Sequence, residues 1–538
     1  MSNPFHYRLL RRKRLTAHAA LPLAFLLLFI FQAGAQTAPQ PSGGHGRILL
    51  VLPFSNNTGQ PSLEWIREAA PQILNARLTS AGFAPLSRAD RLYALDHLGL
   101  PEGFQPSRAS SLKLAQTIDA DSIIVGSYET EGAQITADAR IVDVPHLRMG
   151  PPVTASGQMK SLIDVFDILA WKLTRQLDPA FTGSQEAFVS AGANLQLNAF
   201  EQYIRGITEP DQAERMRHLT QAVKLSPGFS AAWMALGREE YAGQQYEQAA
   251  TSFAKVSGND ADALEAGFYR GLSLIFSGSY AKAEVAFAEV ARVLPLAPVL
   301  NNEGVAISRQ GHDGSAMFRQ AAAADPDVAD YHFNLAVSLQ RHGDSAAARA
   351  ELVQCLKLHP GDTEAQSLQA AWKQPSTADS VEPLERIERG FDAVAFRQAA
   401  VMLDQMEAAR LETLSPDQRA RALATKAADY LSRGLLLEAE QLYQAAAATD
   451  SRSQEAHLGL AEVRERTGDV AGARKEAQTA LELRPSADAY LVLARLDLAA
   501  DHLDAATHDA QEALKLSPKN KVAAELLRQA NTRQGTLR

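Results

Sequence analysis

The sequence predicts a small α/β domain followed by an all-α solenoid of stacked helical hairpins, and three observations predict it. An unbroken apolar run, Arg47 to Phe54, has the look of a strand buried on both faces. From about residue 230 onward, small and aromatic residues recur every 34 positions. The chain has 538 residues, 46 % of them hydrophobic and 21 % charged. It is folded in character but too long for a single core. Abundant alanine favours closely packed helices, because Ala loses no side-chain entropy there and lets backbones approach.

The amino terminus reads as an address. A basic stretch from Arg8 to Arg14 precedes an apolar run from Ala19 to Phe31. Such a run spans about 20 Å as a helix, short of the roughly 30 Å of a bilayer core. Ala33-Gly34-Ala35 supplies the small-x-small pattern of signal peptidase, so residues 1–35 are expected to be a signal peptide cleaved after Ala35. Residues 36–46 then form a flexible leader. A periplasmic or secreted location follows as the expectation, with inner-membrane anchoring by an uncleaved signal as the alternative. No later stretch reaches 18 consecutive apolar residues, so no membrane span is expected in the mature chain.

Formal charge is −9. Without residues 1–35, which carry five basic and no acidic residues, 48 basic face 62 acidic residues, giving −14. A chain this acidic gains nothing from counterion release, which argues against nucleic-acid partners. The single cysteine, Cys355, rules out an intramolecular disulfide.

Residues 47–180 carry the α/β domain. Turn chemistry at Ser55–Gly59 follows the first strand, then a helix from about Pro61 to Ser80. A short strand at Phe83–Ser87 and helices near Ala89–Leu98 and Arg108–Ile118 come next. Ser122–Tyr128 and Gln134–Asp143 read as strands around a Glu129–Gly132 turn, and Val153–Gln158 as a further strand. Leu162–Leu177 closes the domain as a helix. The Val-Leu-Pro-Phe-x-Asn-x-x-Gly segment at 51–59, with Ala120–Ser127 and Ala139–Asp143, resembles the TolB amino-terminal-type domain. That resemblance implies a domain used for protein contacts, without catalysis. Neither Gly-x-x-x-x-Gly-Lys-Ser/Thr nor Gly-x-Gly-x-x-Gly occurs near Asn56, Asn57 and Gly59, so a structural turn is the better reading there.

The periodic part begins near residue 195. Gly237 and Gly271, Ala249 and Ala283, Phe253 and Phe287, and Pro326 and Pro360 are each 34 apart, as are Ala439 and Ala473. This period, with Trp/Leu-Gly, a later Ala and Phe, and a closing Pro, resembles the tetratricopeptide repeat. The resemblance implies a right-handed superhelix of helical hairpins that binds protein or peptide partners. The small residues are expected where paired helices touch. Phe253 and Phe287 act as knobs, and the prolines end each pair. About five repeats are expected over 195–371 and about four over 384–518, divided by a linker at 372–383. Residues 519–538 would form a capping helix and tail.

On the concave wall, the first helix of each repeat projects Met234, Arg238, Phe268, Leu272, Phe276, Phe333, Val337 and Arg341 inward. These are the candidate peptide-groove residues. The plainer reading, that Phe268 and Phe333 pack only between helices, stays open here. Some tetratricopeptide grooves grip a partner's carboxyl terminus with Lys/Asn sets. Asn334 fits such a set, but no matching series appears in the neighbouring repeats. Cys355 sits in a slot that other repeats fill with Ala or Val, so it reads as a small buried hydrophobe. There is no His-Glu-x-x-His, no Cys pair for zinc and no Gly-x-Ser-x-Gly. No cofactor, metal or catalytic residue is expected. The leading expectation is an exported, non-enzymatic interaction scaffold. A structural part of an envelope secretion or assembly complex, and an enzyme with a dispersed site, are the alternatives.

Overall fold

A computed structural model of the chain describes residues 46–102, 107–192, 195–258, 262–373, 383–391 and 393–536. The expected signal peptide and nearly all of the expected leader lie outside these residues. Among the described residues no helix is long and apolar enough to cross a membrane.

The α/β region carries seven strands: β1 Ile48–Val51, β2 Ser55–Asn56, β3 Ala84–Pro85, β4 Ser122–Glu131, β5 Gln134–Asp143, β6 Arg148–Met149 and β7 Val153–Gln158. Their order is β3-β1-β4-β5-β6, with β2 also paired to β4 and β7 to β5. β1 is parallel to both β3 and β4, which is why its Leu49, Leu50 and Val51 are buried and its sequence does not alternate. β4 and β5 form a ten-residue antiparallel ladder, Ser122 opposite Asp143 and Glu131 opposite Gln134. The turn is therefore Gly132–Ala133, with Gly132 at φ +60°, rather than the longer Glu129–Gly132 turn expected. Ser55–Asn56 adds a short parallel strand where only a turn was expected.

Helices Ile66–Ser80 and Leu162–Leu177 contribute the core beside the sheet. The rings of Phe54 and Phe166 meet edge to face at 5.7 Å. A Cβ at position 126 would lie 2.3 Å from the Phe54 ring, so Gly126 is the only residue type that fits beneath it.

Two compact units emerge from the contacts. Among the described residues, one comprises Glu209–Gln405; the other joins residues 46–208 with Met406–Arg538. In the first, hairpins form from Ser230–Ala242 with Tyr246–Phe253, Ala263–Phe276 with Tyr280–Val293, Ala297–Arg309 with Ser315–Ala324, and Ala329–Arg341 with Ser345–Leu358. Glycines lie where the sequence places close approach. A Cβ on Gly237, Gly271 or Gly304 would come within 2.8 Å of the ring of Phe253, Phe287 or Phe318, respectively.

In the second unit the described residues form three hairpins, Pro416–Ser432 with Leu436–Thr449, Gln454–Thr467 with Val470–Leu483, and Ala487–Ala499 with Leu503–Leu516. Helix Lys521–Thr536 follows, with Ala523, Leu526 and Ala530 packed on the last hairpin. Where a fourth repeat was expected, from 384 on, residues 383–391 form neither helix nor strand and helix Ala393–Glu412 comes after them.

The second unit holds a connection that the sequence does not announce. Helix Gln185–Gly192, which follows the α/β domain, packs against helices Leu436–Thr449 and Gln454–Thr467. Glu440, fully buried, accepts hydrogen bonds from the Ser184 amide (3.0 Å) and hydroxyl (2.8 Å). Its other oxygen faces Arg464 at 3.6 Å, and Arg464 also pairs with Glu476 at 2.8 Å. The Gln441 side chain donates to the Ser80 carbonyl at 3.1 Å.

Both arrays repeat one histidine staple. His332 bonds Glu351 at 2.6 Å and the Pro326 carbonyl at 3.0 Å; His457 bonds Glu476 at 2.7 Å and the Ser451 carbonyl at 3.1 Å. Each ring ties the first helix of its repeat to the second, and to the loop before it.

Candidate peptide groove

Within the first unit, residues 383–391, which belong to neither a helix nor a sheet, lie as a connecting strand of chain along the helices Ala263–Phe276, Ala297–Arg309 and Ala329–Arg341. Two asparagines hold its backbone. Asn334 accepts from the Arg386 amide at 2.6 Å and donates to the Arg386 carbonyl at 2.7 Å. Asn302 does the same for Glu388, at 2.9 and 2.7 Å. Both asparagines are fully buried. Asn301 joins them, donating to the Arg386 carbonyl at 3.1 Å and accepting from Asn334 at 2.7 Å.

Asn302 and Asn334 occupy equivalent positions, each two residues before a small residue, Gly304 or Ala336, at the helix contact. Neighbouring repeats thus present the same amide fork to peptide units two residues apart. Residues i and i+2 of an extended chain face the same way, so successive repeats can reach alternate peptide units.

Side chains of the strand are taken up separately. Glu385 is buried between Arg309, at 3.3 Å, and the Arg341 guanidinium and Ser308 hydroxyl. Arg309 and Arg341 are also equivalent positions of adjacent repeats. Arg386 stacks on the Phe333 ring, 3.6 Å from its centroid. Its guanidinium bonds Asp330 (2.7 Å), Asp362 (2.6 and 3.0 Å) and Glu364 (2.9 Å). Ile387 packs on the apolar core. Arg389 lies 5.1 Å over Phe276, and Phe391 meets Phe268 at 5.7 Å and Phe396 at 4.1 Å.

The predicted groove residues divide accordingly. Phe268, Phe276, Phe333 and Arg341 touch the strand. Leu272 and Val337 are buried in the core of the wall. Met234 is core as well, and Arg238 is ion-paired with Glu265 at 2.7 Å in a repeat further along. Asn301, Asn302, Arg309 and the acidic trio of Asp330, Asp362 and Glu364 were missed. A signal existed for two of them. Aligning on Gly304 and Ala336 puts Asn302 on Asn334 and Arg309 on Arg341. The series sought was Lys/Asn for a chain terminus, whereas the observed one is Asn/Arg around internal peptide units.

Electrostatics favours the seated strand. Hydrogen bonds from Arg386 hold the Asp362 carboxyl below its ordinary range despite its burial. Burial lowers the Arg386 pKa, but its bonds to Asp362, Asp330 and Glu364 outweigh that and raise it. Cys355, fully buried, is pushed up to about 11 by burial and by the neighbouring Asp362 charge, which makes it a poor nucleophile. Because Asp362 is depressed in the folded state, its contribution is present above the ordinary carboxylate pKa of about 3.9 and is lost as pH falls through the lower folded value. The Arg386 and Glu388 amides should therefore be protected from hydrogen exchange at pH 5 and lose protection below about pH 4. Asp362→Asn should abolish that step. An unchanged acid step in the variant would count against this account.

Among the described residues, no group of three or more His, Cys, Asp or Glu is placed to hold a metal ion.

The tetratricopeptide-repeat family model matches residues 234–298, 308–363 and 425–488. These three stretches are tetratricopeptide repeats. The first two supply most of the groove wall just described. Among solved structures, the chain is similar to YrrB, described as a tetratricopeptide protein with an unusual peptide-binding site. Identity is 15 %, covering 34 % of this chain and 98 % of that one, with a TM-score of 0.30. It is also similar to MamA (15 %, 30 % and 96 %, TM-score 0.28). A third similarity is to the C-terminal domain of LpoB from Escherichia coli (18 %, 23 % and 89 %, TM-score 0.20). No curated protein sequence matches the chain.

Proposed function

We propose that this chain is an exported, non-enzymatic scaffold whose first tetratricopeptide array holds partner proteins by an extended segment. The observation that carries this reading is the pair Asn302 and Asn334, buried and spaced to grip alternate peptide units of a strand. Backbone recognition supplies affinity without demanding a particular side chain, as strand-binding grooves do. The α/β domain, read as a TolB amino-terminal-like module, would dock a second envelope component. Export rests on the basic and apolar pattern of residues 8–35.

The test is photo-crosslinking in cells that make the chain, from a photoreactive residue at Phe276, followed by mass spectrometry. An intermolecular adduct that disappears in the Asn302→Ala/Asn334→Ala background is the expected result. Adducts that persist in that background, or none beyond a featureless smear, would overturn the groove reading.

A further inference from the structure

The groove is filled by its own chain, and the way it is filled describes what it selects. We infer that residues 384–391, Leu-Glu-Arg-Ile-Glu-Arg-Gly-Phe, are an internal stand-in for the partner. On this inference they occlude the groove until displaced by a segment of the same chemistry: an acidic residue directly followed by arginine, with an aromatic residue five positions after that arginine. The inference rests on the proposed peptide-binding reading and adds both specificity and control to it.

Three sub-sites set the pattern. The acidic position is fixed by Arg309 and Arg341, two cations from adjacent repeats converging on one buried carboxylate. An uncharged residue there would leave two like charges facing each other without a counter-ion. The arginine position is fixed by a planar sandwich: Phe333 beneath the guanidinium, and three carboxylates around its rim. Lysine would keep the charge but lose the stacking and the paired donors to Asp362. The aromatic position is fixed by Phe268 and Tyr269, whose rings lie 5.7 and 6.5 Å from that of Phe391. Between these positions the asparagines bond only peptide groups and so leave side-chain identity free.

Occlusion follows from covalent attachment. A segment tethered to its site competes at an effective concentration on the order of mM. A free peptide with the same contacts must outcompete it or wait for it to leave. Glu385, Arg386, Glu388 and Arg389 balance in charge, so the seated segment neutralises the groove without adding net charge.

The experiment uses the full chain and a fluorescein-labelled peptide of the sequence Pro383–Phe391. Binding is followed by anisotropy to the wild type and to Glu385→Lys/Arg386→Glu, which reverses both charges of the resident segment while leaving the groove wall intact. Circular dichroism confirms that the variant is folded. The expected result is at least about 30-fold tighter binding to the variant than to the wild type, abolished when Asn334→Ala is added. A peptide carrying the same two charge reversals should fail to bind. Equal affinity for wild type and variant would overturn occlusion and leave the scaffold reading standing. No binding to a folded variant would overturn the stated partner chemistry, with the crosslinking experiment deciding the scaffold reading independently. A wild-type dimer that dissociates on the double charge reversal would assign the segment to a second copy and overturn occlusion in cis.

Discussion

Alanine at both Asn302 and Asn334 should release residues 383–391 from the groove and raise the rate of tryptic cleavage after Arg386 and Arg389 by at least about 30-fold. Each asparagine satisfies one amide and one carbonyl of the strand. Removing a buried partner leaves the other group desolvated and unpaired, at about 1–3 kcal/mol for each such group. Even about 2 kcal/mol in total is a factor of roughly 30 in the population of the open segment, which limited proteolysis reads directly when opening is fast. The single variants should fall between wild type and double variant, with a non-additive remainder, because Asn301 bridges the two sites. Cleavage at the wild-type rate in the double variant would show that the ion pairs alone seat the strand.

The second large effect concerns Arg464. Arg464→Met should lower the unfolding free energy of the unit it belongs to by about 3–5 kcal/mol, because Glu440 would be left buried beside Glu476 without its cation. Urea midpoints measure this, and the double variant Arg464→Met/Glu440→Gln should recover part of the loss, since a neutral amide still accepts from Ser184. A loss below about 1 kcal/mol would mean that Ser184 alone satisfies Glu440.

The repeats were legible because they rest on local rules. Gly237, Gly271, Phe253 and Phe287 mark helix contacts at a fixed period, and a period survives in the sequence whatever the partner. β1 was legible for the same kind of reason, since burial on both faces writes a continuous apolar run. Residues 384–391 were not legible as a strand. Leu384, Ile387 and Phe391 have a spacing that suits a helix, and what keeps them extended is the distant Asn302 and Asn334. Four of the eight candidate wall residues meet residues 383–391. Phe333 and Arg341 were named for their direction on the helix, and the structure adds what they meet. Asp330 comes from the start of one helix and Asp362 and Glu364 from the start of another, and no pattern along the chain brings the two starts together. The same holds for Ser184 and Glu440, whose contact spans 256 positions.

That last contact sets an order of events during synthesis. A ribosome adding about 5–20 residues per second needs roughly 13–50 s to travel from Ser184 to Glu440. For that interval the helix Gln185–Gly192 has Leu162–Leu177 beside it but lacks Leu436–Thr449 and Gln454–Thr467, so part of its surface waits for the end of the chain. The groove-bearing repeats, 209–405, are made in between and contain all of their own contacts with residues 383–391. The middle repeats can therefore finish folding before the contact between Ser184 and Glu440 can form.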